Sequence, residues 1–395
     1  MNTTSRLCRS SSTRIYYNTN VVVTLVATLV GCQVSRPKSE YEANNEVKKH
    51  HDDDEAIISS LQHLSPTLPI YIFHPNPNLE IAFDTRTRNP LYVLEHIIPA
   101  PPKNHLATNH DNTTNNAVVV KLKRPNNFYE EKSLPEEFRS RVSHYRNSGY
   151  DRGHLAAAIN YMHTTQQHLV DTFNLINISP QHHVMNATLW AELERWIQTV
   201  AQDNHRQQYD TYVVTGPLWM PVQQISERQF DYRYSAIGIP PSLVSVPTHF
   251  YKIVIAVTTN NNHHPKKIVK FACFVIPNQD LTLVSKTQQQ RRHVLADFLV
   301  PWTALEAVTG LHFFPALIAP NSGGVEWKET ANQLTMDIVM TNKKKQQSEQ
   351  QPNHHPLLLT DGSTSTTSDK KKWGFGSRNK KQPDLVHFCA NGSCS

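Results

Sequence analysis

Three groups in the middle of the chain have the residue types that hydrolysis of a phosphodiester bond requires. That reaction needs a base for a water molecule, a cation for the charge on the phosphate and the leaving oxygen, and groups that hold both in line. In the segment 151–154 (Asp-Arg-Gly-His), His154 is the candidate base, and Gly153 allows a close backbone approach beside it. Asn186 and Glu194 add a neutral and a charged oxygen. Mg²⁺ needs few such ligands, because it keeps most of its waters.

The spacing of the second and third groups predicts a helix. Asn186, Trp190 and Glu194 are four residues apart, and the apolar residues within 188–200 follow the same helical period. A helix would place all three side chains along one face, where a hydrated divalent ion could be held opposite His154. Asn186 is equally suited to be the N-cap of that helix, and residue type alone leaves both interpretations open.

The elements that must position these residues indicate a mixed α+β fold. Residues 81–84 and 91–94 have the composition of two strands joined by a turn, which predicts a hairpin. A central antiparallel sheet flanked by helices is predicted from the β-rich runs and helical segments that follow. The β-rich runs are 211–214, 250–257 and 268–276, and the helical segments are 134–138 and 285–311, the latter interrupted at Pro301.

Composition sets limits on the class of protein. The chain has 395 residues, 38% of them hydrophobic, so it is not disordered as a whole. Its net charge of +6 permits attraction to a polyanion, although a Lys-rich C-terminus supplies much of the excess. Five cysteines do not form a disulfide framework. Cys273 is expected to be a buried free thiol, whereas Cys389 and Cys394 either pair with each other or remain thiols.

Changes in composition divide the chain into four parts. Residues 1–34 have no acidic side chain, carry Arg and Ser, and end in an apolar stretch at 21–31 that is too short to span a bilayer comfortably. They indicate a mitochondrial presequence with a hydrophobic sorting segment, and a secretory signal is the alternative. Residues 35–63 form a linker, 64–340 the folded domain, and 341–395 a low-complexity tail rich in Lys, Ser and Thr that is expected to be disordered.

The motif is part of a longer resemblance. Residues 148–158 (Ser-Gly-Tyr-Asp-Arg-Gly-His-Leu-Ala-Ala-Ala) resemble the signature of the endonuclease G family of mitochondrial DNA/RNA non-specific endonucleases. The similarity continues without a gap through 171–181 to Asn186, Trp190 and Glu194, and covers about residues 64–320. Later blocks that also resemble the family are 214–218, 246–252, 275–278, 298–301 and 310–314.

The resemblance implies a fold and a division of chemical roles. The expected fold is the ββα-metal (His-Me finger) nuclease fold, with the histidine on a hairpin and the metal ligand on the following helix. His154 would be the general base, and Asn186 the sole direct protein ligand of Mg²⁺, with Mn²⁺ as an alternative ion. Glu194 would orient a metal-bound water. The products expected from DNA and RNA carry 5′-phosphate ends.

Other residues receive less specific expectations. Asp151 is expected to support the hairpin, and Arg152 to serve either the phosphate or the local scaffold. Arg124 is a candidate phosphate clamp, with a plain surface arginine as the alternative. The histidine pairs at 182–183 and 263–264 have no partner at the spacing of zinc ligands, so we expect them to be solvated loop residues.

The same resemblance implies partners and a location. The substrates would be double- and single-stranded DNA and RNA, and the enzyme would be a homodimer. Mitochondrial members reside in the intermembrane space, and residues 21–31 would allow attachment to the inner membrane. Two alternatives remain: a catalytically inactive relative that still binds nucleic acid, and a secreted nutritional nuclease with the same chemistry.

Overall fold

The apolar runs of the sequence become the strands of one sheet in the computed structural model. The structure describes residues 65–100, 122–259, 266–281, 294–318, 324–349 and 385–389, with side chains of the last helix described to Asn342. The strands are β1 (Ile70–Asn76), β2 (Leu79–Asp84), β3 (Asn89–Ile97), β4 (Asp151–His154), β5 (Ile178–Gln181), β6 (Tyr209–Leu218), β7 (Gln223–Ser226), β8 (Gln229–Asp231), β9 (Ala236–Ile239), β10 (Ser242–Ser245), β11 (His249–Thr258), β12 (Ile268–Pro277) and β13 (Val386–His387).

The helices lie mostly after the site hairpin. They are α1 (Val142–Tyr145), α2 (Gln166–Asp171), α3 (His183–Met185), a π-helical turn (Asn186–Trp190), α4 (Ala191–Arg206), α5 (Trp302–Thr309) and α6 (Gly324–Glu349). Short 3₁₀ turns occur at Glu136–Phe138, Ala158–Tyr161, Leu175–Asn177 and Leu295–Phe298. The order β4–β5–α3 is the ββα arrangement that the resemblance implied.

Seven strands form the main sheet, in the order β1-β2-β3-β6-β11-β12-β13. Every pairing is antiparallel except the last, in which β13 runs parallel to β12. The middle strands are buried on both faces, as the near-continuous β-branched and aromatic run of β11 requires. The predicted α+β class with a central antiparallel sheet is confirmed.

Helices cover both faces of this sheet. On one face, Trp196 of α4 packs against Phe274, with ring centroids 5.4 Å apart. On the other face, Trp302 of α5 contacts Phe271 at 6.5 Å. Because side chains alternate along a strand, Lys252 and Phe274, which are paired across β11 and β12, face the α4 side. That side of the sheet carries the site.

The chain divides into two compact units, and residues 221–233 belong with the smaller one. Within them, β7 and β8 form a short antiparallel hairpin in which the backbone N–H of Val222 donates to the carbonyl of Asp231. The larger unit contains the main sheet, the hairpin β4–β5 and every helix that the structure describes.

The C-terminal part of the chain differs from its sequence-based description. The domain was expected to end at residue 340, followed by a disordered tail, but α6 continues to Glu349. Residues 385–389 also fold, because β13 pairs with the edge of β12 and Phe388 packs against Trp196 at 5.9 Å. The low-complexity composition of the surrounding residues prevented the prediction of this short apolar segment.

Cys273 is buried and free, as predicted. Cys389 is disulfide-bonded.

Several predictions concern segments outside the described residues. These are the presequence at 1–34, the linker at 35–63, and the histidine pair at 263–264. Among the helices that the structure describes, none is long and apolar enough to cross a membrane.

Candidate active site

The hairpin β4–β5 presents the predicted motif in a fixed register. Arg152 pairs with Pro180, Gly153 with Ser179, and His154 with Ile178. Gly153 is required here by close packing, because a Cβ atom at this position would overlap the side chain of Gln181. The absence of a side chain at Gly153 therefore leaves room for the side chain of Gln181 on the paired strand.

His154 lies among aromatic rings. Its ring centroid is 5.3 Å from that of Phe128 and 4.7 Å from that of Phe173, which meets it edge-on. Nε2 of the imidazole is buried and has no hydrogen-bond partner among the described residues. The backbone carbonyl of His154 also has a partner, since the indole N–H of Trp190 donates to it at 3.4 Å.

Backbone pairing between two distant segments brings these rings together. The N–H of Tyr129 donates to the carbonyl of Phe173, and the N–H of Leu175 donates back to the carbonyl of Tyr129 at 2.8 Å. This short parallel bridge fixes Phe128 against Phe173, with centroids 5.1 Å apart.

The aromatic surroundings determine the charge of the histidine. Burial, together with the positive charge of Arg124, lowers the pKa of His154 to about 3. The imidazole is therefore neutral at physiological pH, which is the form that can accept a proton. An anionic substrate near the ring would offset the Arg124 charge and raise this pKa toward the working range of a base.

Two guanidinium groups flank the aromatic cluster. Cζ of Arg152 lies 4.8 Å from the ring centroid of Phe128, and Cζ of Arg124 lies 5.5 Å from that of Phe173. Both arginine side chains are exposed, so an anion in solvent can approach their guanidinium groups. The structure thus brings Arg124 to the site beside His154, instead of leaving it on a remote surface.

Asn186 is anchored by the first residue of the motif. Its Nδ2 donates to Oδ2 of Asp151 at 2.9 Å, and the same carboxylate lies 3.0 Å from Nδ1 of His183. The helical segment begins at His183, so Asn186 lies within it and is not its N-cap. With Nδ2 held by Asp151, Oδ1 is the atom of the amide left for another ligand.

The helix is not regular at this point. Asn186 to Trp190 form a π-helical turn, which inserts an extra residue and changes the direction of the side chains from the simple four-residue repeat. Trp190 is turned into the core, where its ring packs against Phe250 at 5.5 Å. Asn186 stays half-exposed and reaches Asp151 of the hairpin. Such π turns are frequent at functional sites.

Glu194 lies one turn into α4 and is half-buried. Burial raises its pKa to about 7, against the opposing charges of Lys252, Arg124 and Arg195 and a hydrogen bond from Trp190. The charge of Arg124 lowers the pKa of both Glu194 and His154.

The part of the chain that contains these residues matches a known family. The family model for DNA/RNA non-specific endonucleases matches residues 65–319. The chain belongs to this family. The recognition of the family from its motifs is therefore confirmed, as is the prediction of an enzyme of the nuclease class.

Curated proteins similar to this chain are named as nucleases. A mitochondrial nuclease of Saccharomyces cerevisiae is 34% identical over 62% of this chain and 65% of that protein. Human mitochondrial endonuclease G is 30% identical over 60% of this chain and 68% of that protein. Nuclease 1, mitochondrial, of Schizosaccharomyces pombe is 32% identical over 58% of this chain and 62% of that protein. The match spans less than two thirds of the yeast proteins.

A solved structure of an EndoG/EndoGI complex also aligns, with a TM-score of 0.46 and 29% identity, over 63% of this chain and 86% of that chain.

The donor atoms at this site suit a hydrated divalent cation. Among the described residues there is no cluster of three or more His, Cys, Asp or Glu side chains that could hold an ion. A site built on one amide oxygen, with water as its other ligands, suits Mg²⁺, which dehydrates reluctantly. The Oδ1 atom of Asn186 meets that requirement, because Asp151 occupies the other end of the amide.

Sequence reasoning missed several residues at the site. Phe128 and Phe173, which surround His154, carry no motif of their own. His183 was expected to be a solvated loop residue; it is exposed but pairs with Asp151. Lys252 is buried beneath Trp190, with its Nζ 4.8 Å from the ring centroid. Only Lys252 carried a signal, as a charged residue inside an apolar strand pattern.

Proposed function

We propose that this protein is a Mg²⁺-dependent endonuclease that hydrolyses DNA and RNA without selecting the sugar, leaving 5′-phosphate ends. One observation carries the proposal: a neutral His154 lies between aromatic rings that each support an arginine, next to a helix anchored to the same strand through Asp151 and Asn186. This arrangement combines a proton acceptor, two phosphate-binding cations and a metal ligand.

His154 takes the proton of the attacking water. Its Nε2 is buried, with no partner in the described part of the chain, so Nδ1 is the ring nitrogen that water can approach. The aromatic surroundings keep water away from the rest of the ring, and the imidazole stays neutral until the proton arrives.

Asn186 would hold the cation through Oδ1, with Mn²⁺ as an alternative to Mg²⁺. When bound, the cation supplies positive charge to the phosphate and to the leaving 3′ oxygen. Asp151 keeps the amide of Asn186 in the required orientation. When ionised, Glu194 accepts hydrogen bonds from a water molecule at the site. It thereby holds that water on the side of the site formed by α4.

Arg124 and Arg152 bind the phosphates that flank the scissile bond. Contacts to phosphate carry no sequence information, and they do not distinguish ribose from deoxyribose. Both double- and single-stranded DNA, as well as RNA, are therefore substrates of the same site. The two stacked guanidinium groups, one on each side of the histidine cluster, fit a backbone that runs across it.

The location follows from the relatives and from the N-terminal composition. Relatives named as mitochondrial occur in yeasts and in human, and residues 1–34 have the composition of a presequence. We infer a mitochondrial enzyme of the intermembrane space or inner membrane that assembles as a homodimer, with residues 21–31 available for attachment. Imaging of the tagged full-length chain and of a tagged chain of residues 35–395 in cells distinguishes this location from that of a secreted nuclease.

The experiment that tests the activity is a plasmid-nicking assay with a Mg²⁺ titration. His154→Ala should abolish nicking while binding to DNA is retained, because the imidazole is not one of the phosphate-binding cations. His205→Ala is the matched control, since His205 is exposed on α4. Nicking by His154→Ala at the wild-type rate would show that His154 is not the base.

The ends of the product are a second readout. Products with 5′-phosphates accept label from polynucleotide kinase only after phosphatase treatment, whereas 5′-hydroxyl ends accept it directly. A wild-type protein that binds nucleic acid but nicks at no concentration of Mg²⁺ or Mn²⁺ would favour the inactive relative. Against that alternative, His154, Asn186 and Glu194 are all present in the chain.

A further inference from the structure

A short segment near the end of the chain lies along the outer edge of the main sheet. We call this segment, residues 385–389, the C-terminal strap. It runs parallel to β12, with His387 paired to Phe271, and the N–H of Phe388 donates to the carbonyl of Phe271 at 3.0 Å. Residues 350–384 separate the strap from the end of α6. Its position is therefore set by its contacts with the sheet edge.

The side chains of the strap alternate between burial and exposure. Leu385, His387 and Cys389 are 7%, 1% and 0% exposed, whereas Val386 is 48% exposed. Alternation of this kind is expected of a strand, in which successive side chains point to opposite faces. It is also the way in which an extended peptide binds to a sheet edge, with backbone hydrogen bonds for affinity and pockets for every second side chain.

Aromatic rings form the two walls that receive the strap. On one face, the ring of His387 meets Phe271 edge-on at 4.7 Å, and Phe271 also contacts Trp327 of α6 at 5.8 Å. On the other face, the ring of Phe388 lies 5.9 Å from that of Trp196 on α4. The strap is thus held between two helices that cover opposite faces of the sheet.

A different segment covers the next part of the same edge. Phe274 of β12 forms an antiparallel bridge with Leu299, and the N–H of Val300 donates to the carbonyl of Cys273 at 3.0 Å. The strap occupies the stretch of β12 that comes before this bridge, around Phe271. Without a cover, this stretch would present unpaired backbone groups that any extended chain could bind.

The main sheet of the family fold is complete without the strap. The family match covers residues 65–319, and the other strands of the main sheet all lie within that range. The strap pairs with two residues of β12, whereas β11 pairs with β12 along nearly its whole length. Terminal segments with few pairs open locally while the rest of a fold stays intact. The strap therefore has the features of a bound ligand more than those of a core strand.

We propose that the edge of β12 between Trp196 and Trp327 is a strand-addition groove, and that the C-terminal strap is its detachable ligand. The groove accepts the same segment when it is supplied as a separate peptide. Because Phe388 contacts Trp196, occupancy of the groove also steadies α4, the helix that carries Glu194. This inference concerns binding and local stability, so it holds whether or not Glu194 takes part in hydrolysis.

The experiment detaches the strap by one substitution in the full chain. Phe388→Pro removes both the N–H that donates to Phe271 and the ring that contacts Trp196. Val386→Ala is the matched control, because Val386 lies in the same strand with an exposed side chain.

A labelled peptide then measures whether the groove is open. The peptide comprises residues 382–395, with alanine in place of Cys389 and Cys394 to prevent disulfide exchange with the protein. Fluorescence anisotropy should show saturable binding to Phe388→Pro. Binding to wild type and to Val386→Ala should be about tenfold weaker or more, because their own straps compete at a high effective concentration. The same peptide carrying Phe388→Pro should not bind.

Hydrogen exchange measured by mass spectrometry reports on the groove within the protein. In Phe388→Pro we expect faster exchange in β12 and α4 than in wild type, with no change in β3 and β6. Addition of the unlabelled peptide at saturation should restore slow exchange in both elements. A strand that is merely part of the core would not be replaced by a peptide in this way.

Each contrary result would overturn the proposal. Anisotropy that does not change when Phe388→Pro is added would exclude a groove that accepts the strap as a ligand. Faster exchange throughout the sheet, or failure of Phe388→Pro to fold, would show that the strap is an integral strand and not a detachable one. Unchanged exchange in α4, with faster exchange in β12, would exclude the support given to α4 through Trp196.

Discussion

Oδ2 of Asp151 accepts a hydrogen bond of 2.9 Å from Nδ2 of Asn186, which joins the first residue of the motif to the candidate metal ligand 35 residues later. The bond fixes which end of the amide faces outward. A carboxylate that orients a ligand in this way commonly changes metal affinity tenfold or more, although it does not touch the ion. Asp151 thus holds the amide of the residue that we propose as the metal ligand.

Removal of this carboxylate should weaken the response to metal. We expect Asp151→Ala to raise the Mg²⁺ concentration for half-maximal nicking by about 10- to 100-fold, because the amide of Asn186 can then rotate. His183→Ala is the matched control, since it removes the other partner of Asp151 and leaves the bond to Asn186 in place. Equal Mg²⁺ requirements in Asp151→Ala and wild type would show that Asn186 is oriented by something else.

Gly153 should tolerate no side chain. In Gly153→Ala the new Cβ would overlap the buried side chain of Gln181, so we expect a loss of about 1–3 kcal/mol in the free energy of unfolding, with reduced nicking. Urea unfolding and the nicking assay measure the two effects. Gly149→Ala is the control, because the space around Gly149 is open and only its left-handed backbone, with φ of +82°, opposes the change.

A second substitution tests the cause. If the overlap with Gln181 is responsible, Gly153→Ala combined with Gln181→Ala should recover part of the stability lost by the first change alone. Losses that simply add would assign the effect to the backbone of Gly153 and not to this contact.

Arg124 should contribute to phosphate binding. We expect Arg124→Ala to weaken binding of DNA and RNA alike and to reduce the slope of log affinity against log salt by about 1, because one phosphate contact is lost. Fluorescence anisotropy in the His154→Ala background measures this without cleavage. Lys123→Ala, at an exposed neighbouring position, is the comparison variant. If both variants give the same slope as the parent, Arg124 binds no phosphate.

The sequence predicted those parts of the fold and site that depend on local order. The strands β2 and β3 and the helix after β5 follow from residue periods within a few positions, whereas the motif was placed on a hairpin only by the family resemblance. It also predicted a fold class, because the β-rich runs 211–214, 250–257 and 268–276 lie within the strands that form the middle of the sheet.

What the sequence could not predict depends on pairing over long distances. Phe128 reaches His154 through the bridge between Tyr129 and Asn174, and Lys252 bonds to a carbonyl 97 residues away. No local period encodes such contacts. The π turn is a second case: the four-residue spacing of Asn186 and Trp190 predicted a regular helix, and burial of Trp190 against Phe250 accompanies the added residue.

His249 should make the fold sensitive to acid. Burial lowers its pKa to about 4, from 6.5 in the unfolded chain. Between these two values the unfolded state binds a proton that the folded state does not, so stability is full above pH 6.5 and is lost as the pH falls toward 4, by about 1.4 kcal/mol for each pH unit. Urea unfolding at a series of pH values between 4.5 and 6.5 measures the slope.

Other buried groups titrate in the same range, so a difference between variants is needed. Glu95 and Glu194, with pKa values raised to about 7, act in the opposite direction, since the folded state holds their protons more tightly. Their contribution cancels when His249→Gln is compared with wild type. The slope of the free energy of unfolding against pH measures how many more protons the unfolded state binds than the folded state. We expect this number to fall by about one in His249→Gln and to stay the same in His205→Gln, whose side chain is exposed. Parallel slopes in all three proteins would mean that His249 is protonated as readily in the folded state as in the unfolded state.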